Sequence, residues 1–206
     1  LTTDAVGGVW TYSLDLAAAL AEAEDVSVIL AVLGPSPDAE QLTAAAATPG
    51  LQLVNTGLPL DWLAEDALTV RGAAEAIADL ASLCEADLVQ LHTPALASAG
   101  RYRIPVLSVV HSCLKTWWAA VEAGPLPHDF VWRSELVGEG LRRSDLVVTP
   151  TLAFGRMVRT AYGLSGLPAA VHNGRRATAL SPRSQTDLAF TAGRLWDKAK
   201  NVASFD

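Results

Sequence analysis

Leu88-Val89-Gln90-Leu91-His92 and Val106-Leu107-Ser108-Val109-Val110-His111 are two short apolar runs, each closed by a histidine. Neither run alternates cleanly between apolar and polar side chains. Each therefore reads as a parallel strand covered on both faces, not as the half-wet strand of an antiparallel sheet. Similar runs recur at 26–33, 51–54, 146–149 and 169–171. Between the runs the period becomes helical. Leu63, Val70, Ile77 and Cys84, with Ala67, Ala74 and Ala81, mark one face of a helix over 63–84. Trp10, Leu14, Ala17 and Ala21 do the same for a helix over 8–24, and further helices are expected over 130–143 and 152–162. Strands alternating with helices predict an α/β chain with a Rossmann-like, doubly wound parallel sheet. In such sheets ligands gather beyond the carboxyl ends of the strands, which is where both histidines stand.

Composition narrows the function. Half of the 206 residues are hydrophobic, enough for a sizeable core. The net charge of -7 includes no basic stripe, which argues against a nucleic-acid partner. Cys84 and Cys113 lie far apart and outside any CxxC pattern, as expected of ordinary thiols in a cytoplasmic protein. No apolar stretch approaches the roughly 20 residues of a membrane-spanning helix. The sequence opens on Leu1-Thr2-Thr3-Asp4, without a methionine or a signal-peptide pattern, and a preceding segment is expected. Residues 1–175 read as one domain. The segment 176–187, with Arg176, Ser181, Pro182, Arg183 and Ser184, reads as an interdomain linker, and 188–206 as the start of a second domain.

The candidate residues follow from these positions. Gly7-Gly8 stands at a loop-to-helix junction, where backbone amides and the helix N-terminus suit a phosphate; a tight turn needing positive φ is the simpler alternative. His92 and His111 occupy equivalent strand ends, and no carboxylate or cysteine is expected beside them to complete a zinc site. Trp117, Trp118 and Trp132 either line an acceptor site or anchor their loop to the core, and Trp117 is the cleft candidate among them. His172-Asn173-Gly174 marks a structural turn. In Gly193-Arg194-Leu195-Trp196-Asp197-Lys198-Ala199-Lys200, a guanidinium and an ammonium on one loop suit a diphosphate clamp.

Several of these pieces, in this order, resemble the retaining glycosyltransferases of the GT-B fold, the family that includes sucrose synthase and bacterial mannosyltransferases. They are Gly7-Gly8, the run ending at His111, Ser144-Asp145-Leu146-Val147-Val148-Thr149-Pro150-Thr151, His172-Asn173-Gly174, and Ala192-Gly193-Arg194-Leu195 with Lys200. The resemblance implies the N-terminal, acceptor-side half of such an enzyme, truncated in its second domain. It implies a nucleotide-diphosphate sugar as donor, an acceptor that is a glycan, lipid or small molecule, no metal or other cofactor, and possible peripheral contact with a membrane. It places His111 near the transferred sugar as the catalytic position, Gly8, Arg194 and Lys200 on the donor phosphates, and Gly7, His92 and Trp117 around the acceptor or cleft. Three departures stand out. The strand that should precede the glycine loop is not evident, Lys198 competes with Lys200, and the second domain's glutamate pair has no match. The chain alone is therefore expected to be inactive. A non-catalytic Rossmann-like binding module and a GT-B nucleotide-sugar epimerase are the alternatives.

Overall fold

The computed structural model describes residues 1–175, 187 and 197–205. The chain alternates strand and helix as the sequence predicts. The strands are β1 (Thr2–Asp4), β2 (Val28–Leu33), β3 (Leu51–Asn55), β4 (Val89–Leu91), β5 (Val106–Val109), β6 (Leu146–Thr149) and β7 (Ala169–Ala170). The helices are α1 (Gly8–Glu24), α2 (Ala39–Ala46), α3 (Ala67–Leu83), α4 (Leu114–Val121), α5 (His128–Arg143) and α6 (Leu152–Tyr162).

Strands pair in the orders β1-β2-β3 and β4-β5-β6-β7, every pair parallel. β1 and β4 lie side by side, and the His92 N–H donates to Thr2 Oγ1 at 3.1 Å. Read across both sheets, the order is β3-β2-β1-β4-β5-β6-β7, and the winding reverses between β1 and β4. A topological switch point of this kind opens a crevice at the strand ends.

The strand before the glycine loop is thus present, contrary to the sequence reading. Thr2 and Thr3 are buried at 3% and 2% exposure in β1, against β2. Their β-branched side chains suit a strand, but their hydroxyls kept the segment from reading as an apolar run. β2 shows why both sheet faces had to be apolar. Leu30 and Val32 pack with Trp10 and Ala45 under α1 and α2, while Ala31 and Leu33 pack with Ala74, Ile77 and Leu91 under α3. Burying side chains such as Leu30, Val32 and Leu91 contributes about 1.5–3 kcal/mol each.

Two boundaries matter for the site. α3 begins at Ala67, not at Leu63, because the Asp66 carboxylate accepts from the Thr69 N–H at 2.8 Å and caps the helix there. Residues 61–63 are left in a turn at the sheet's edge. The short helix α2 is an addition to the sequence reading. It starts on a capping box in which Asp38 and Gln41 exchange hydrogen bonds of 2.8 and 3.0 Å. Gln41 also donates to the Ala5 carbonyl at 2.8 Å, tying α2 to the loop that leads into α1. On the other side, α5 runs directly against the 3-10 turn Pro94–Ala97. A Cβ at Gly140 would overlap the Pro94 carbonyl, so the approach requires glycine. No helix among the described residues is long and apolar enough to cross a membrane.

Candidate functional site

A cleft of about 510 Å³ opens where the carboxyl ends of β1, β4 and β5 converge. Asp4 comes from the end of β1, His92 and His111 follow β4 and β5, and Trp117 descends from α4. Asp61 enters from the turn after β3, Arg133 and Ser134 from α5, and Tyr162 from the end of α6. The fold therefore brings together His92, His111 and Trp117 and places the Gly7-Gly8 loop beside Asp4.

His92 and His111 meet edge to face, ring centroids 4.9 Å apart, and Tyr12 of α1 closes a three-ring cluster at 5.2 Å from His92 and 4.7 Å from His111. Their surroundings differ. Ser13 Oγ donates to the Val9 carbonyl at 2.8 Å, so its lone pair faces His92 Nδ1 at 3.5 Å and that nitrogen carries the proton. His92 Nε2 then accepts from the Gln90 amide at 2.7 Å. The imidazole is held in one tautomer from both ends. Burial, reinforced by the neighbouring His111, keeps its pKa well below the usual histidine value. His92 is thus a fixed, neutral wall of the cleft.

His111 has no such clamp. Its Nε2 is buried and has no hydrogen-bond partner. Burial lowers its pKa, and the charge of Asp4 works in the opposite direction. Buried polar atoms are nearly always paired, so an orphan nitrogen at a cleft points to a bound group as its partner.

Carboxylates do stand near the histidines, contrary to the sequence reading. Asp4 acts electrostatically on His111, and Asp61 lies in the same cleft. Burial pushes the Asp61 carboxyl up from its ordinary value and Asp4 adds to this, while the Trp62 N–H and Arg133 oppose it. Cys113 lines the cleft as well, its Sγ 2.9 Å from Thr116 Oγ1. Asp4, Asp61 and Cys113 come from the end of β1, the turn after β3 and the loop after β5, so no spacing in the sequence announced the two carboxylates beside His111. Among the described residues no group of three or more His, Cys, Asp or Glu could hold a metal ion.

The glycine loop has a specific geometry. Asp4 Oδ1 accepts from the N–H groups of Val6 and Gly7 at 2.8 and 3.0 Å. Gly7 is extended, with φ -135° and ψ -165°, and neither it nor Gly8 has positive φ. A Cβ at Gly8 would meet nothing within 4 Å. Neither the turn nor the packing requires Gly8, so the tight-turn explanation does not apply there. What the residue does is leave the N-terminus of α1 bare.

Of the basic clamp, Arg194 lies outside the described residues, as do the linker from 176 to 186 and most of the segment after 187. Lys198 and Lys200 bound a 3-10 turn that Asp197 caps, and Asp197 reaches the cleft. Lys198 Nζ pairs with Glu122 Oε1 at 2.8 Å, whereas Lys200 is exposed and forms no ion pair with a described residue. Trp118 and Trp132 are anchors: Trp118 Nε1 donates to the Gly124 carbonyl at 3.1 Å, and Trp132 Nε1 to Asp129 at 2.9 Å.

Parallel strands in this order, with a cleft at the switch point, match the fold of the N-terminal Rossmann-like half of GT-B glycosyltransferases. The model of Glycosyltransferase Family 4 matches residues 6–177, and the chain belongs to that family. No curated protein matches the sequence. Among solved structures, Anabaena Alr3699/HepE in complex with UDP is similar with a TM-score of 0.53 and 16% identity, over 84% of this chain and 43% of that one. Phytolacca americana UGT2, complexed with UDP-2fluoro-glucose and pterostilbene, is similar with a TM-score of 0.54 and 13% identity, over 89% of this chain and 54% of that one. The chain thus spans about half the length of these proteins, and the likeness at such identities is one of fold.

Proposed function

We propose that this domain forms the acceptor-side wall of a glycosyltransferase that moves a sugar from a nucleotide-diphosphate donor with retention of anomeric configuration. The observation that carries the reading is the buried, unpartnered Nε2 of His111 at the switch-point cleft of a Family 4 chain. As the diphosphate leaves, the sugar ring acquires oxocarbenium-like charge. A neutral imidazole can then orient the ring by hydrogen-bonding one of its hydroxyls, without acting as a base. The bare amides at the start of α1 face the departing phosphates, with Gly8 leaving room for them. Arg194 and Lys200 complete the charge balance in the role a metal ion plays elsewhere. A nucleotide-binding domain continuing after residue 188 supplies the base and ribose contacts. HepE and UGT2, solved with UDP and a UDP-sugar, are consistent with such a donor.

The test is nucleotide release by the full-length protein from a panel of UDP-, GDP- and ADP-sugars, with the product anomer read by proton NMR. Retention and dependence on an acceptor support the reading. Binding without release leaves a binding module. One observation favours a second reading: Asp4 and Asp61 supply the cleft carboxylates that a hydrolysing epimerase needs. The same NMR spectrum distinguishes it, because an epimerase yields a free sugar of inverted C2 configuration and no glycoside.

A further inference from the structure

At the inner end of the cleft stand two hydroxyls with no partner. Ser134 is 6% exposed and Tyr162 7%, and both line the cleft. Cys113 Sγ and Ser134 Oγ both lie beside the Tyr162 hydroxyl, yet neither hydroxyl reaches hydrogen-bond geometry with a neighbour. Asp61 is near enough to act on the same phenol and lines the same cleft. Two buried hydroxyls left open, beside a carboxylate, form a polar recess built for a molecule that both donates and accepts hydrogen bonds.

The charges around this recess decide which molecule. Among the described residues Arg133 is the cation lining the cleft, and its guanidinium is already committed. It donates to the backbone carbonyls of Asp61 and Ala64, the latter at 2.7 Å, and pairs with Asp129 at 3.0 Å. Lys115 stands 5.4 Å from the Tyr162 ring but is exposed and does not line the cleft. Facing inward are Asp4 and Asp61. A phosphate or carboxylate entering here would meet like charge, and among the described residues that line the recess no free cation offsets it.

Resting on the transferase reading above, we infer that Ser134, Tyr162 and Asp61 form an acceptor subsite for a neutral polyhydroxyl ring and against phosphorylated acceptors. The ring's hydroxyls satisfy the two orphan groups and donate to the carboxylate. Their source is either a free sugar or cyclitol, or the end of a glycan.

The experiment uses the full-length protein and whichever nucleotide sugar it turns over. Acceptors are D-glucose, myo-inositol and a short glucan, against the monophosphate esters of the first two. Neutral acceptors should stimulate nucleotide release and their phosphate esters should not; glucose against glucan separates free sugar from glycan end. Ser134→Ala and Tyr162→Phe should each raise the acceptor KM about three- to tenfold, with a smaller change in kcat. Both substitutions delete an unsatisfied buried hydroxyl and keep the packing, so the melting temperature should hold or rise. Stimulation by the phosphate esters alone, or an unchanged acceptor KM in both variants, overturns the subsite while leaving the transferase reading intact. A fall in melting temperature with unchanged KM assigns the hydroxyls to internal hydration and overturns it too. Absence of nucleotide release from every donor, with or without acceptor, rejects the transferase reading itself.

Discussion

His92 and His111 occupy equivalent places in the sequence, each the first or second residue past a buried strand, but the structure separates their roles through their partners. His92 is held by Ser13 and Gln90; His111 keeps a buried nitrogen open. In the full-length protein His111→Ala should lower kcat by about ten- to a thousandfold, the range of positioning and electrostatic effects, with a small fall in melting temperature. A normal kcat together with a large drop in melting temperature would make His111 structural. The histidines also set a pH dependence of stability. Burial depresses both folded-state pKa values below 6.5, so in acid the unfolded chain binds protons that the folded chain refuses. Their contribution is complete above the unfolded value and is lost as pH falls through 6.5 towards the depressed folded values. Melting temperature measured from about pH 8 to about pH 5 should decline on the acid side, and His92→Gln should flatten that decline. At this scale the sequence revealed the strand-end histidines, because strand ends are local. It hid Asp4, Asp61, Ser134 and Tyr162, whose meeting depends on four separate elements reaching one crevice.

Elements place these residues, and two glycines expose the difference between fold and function. Gly140 lets α5 lie on the Pro94 carbonyl, so Gly140→Ala must push the helix away and should cost about 1–3 kcal/mol or more of stability. Gly8 has open space around it and an ordinary backbone. Gly8→Ala should therefore leave stability unchanged or raise it by up to about 1 kcal/mol, since alanine is the better helix former. If the bare helix start receives the donor phosphates, the same methyl group should reduce donor turnover. Denaturant melts and donor kinetics on the two variants test this together; equal stability losses would show that Gly8 is structural. The sequence announced α1, α5 and α6 within a residue or two, because long amphipathic periods survive without tertiary help. α3 was predicted to start several residues early, since Leu63 fits the helical period and the cap at Asp66 overrides it. β1 was missed because two threonines and an aspartate carry too little apolar signal for a three-residue strand.

The whole molecule sets the last question, which lysine would meet the diphosphate of the proposed donor. The sequence leaves Lys198 and Lys200 as rivals, since both follow Arg194 on one loop. The structure distinguishes them by their partners. Lys198 is tied to Glu122, just past the end of α4, at 2.8 Å, so its ammonium serves to hold the turn against the first domain. Lys200 is exposed and makes no ion pair with a described residue, while Asp197, which caps the same turn, already reaches the cleft. A cation that pairs with no described residue is the one able to take a phosphate at no expense to the described fold. In the full-length protein Lys200→Ala should lower kcat/KM by about ten- to 150-fold, the equivalent of one charge-assisted hydrogen bond in the transition state. Arg194→Ala should act in the same range if its guanidinium is the forked half of the proposed clamp. Lys198→Ala should loosen the turn with a smaller kinetic effect, and Glu122→Gln should reproduce that smaller effect, since it breaks the same pair from the other side. Equal losses at Lys198 and Lys200 would mean that the pair with Glu122 opens when donor binds. Wild-type kinetics in both the Arg194 and Lys200 variants would remove the clamp altogether. If the basic pair carries the leaving-group charge, a chelator such as EDTA should leave turnover unchanged, and a loss restored by a divalent cation would transfer that role to a metal.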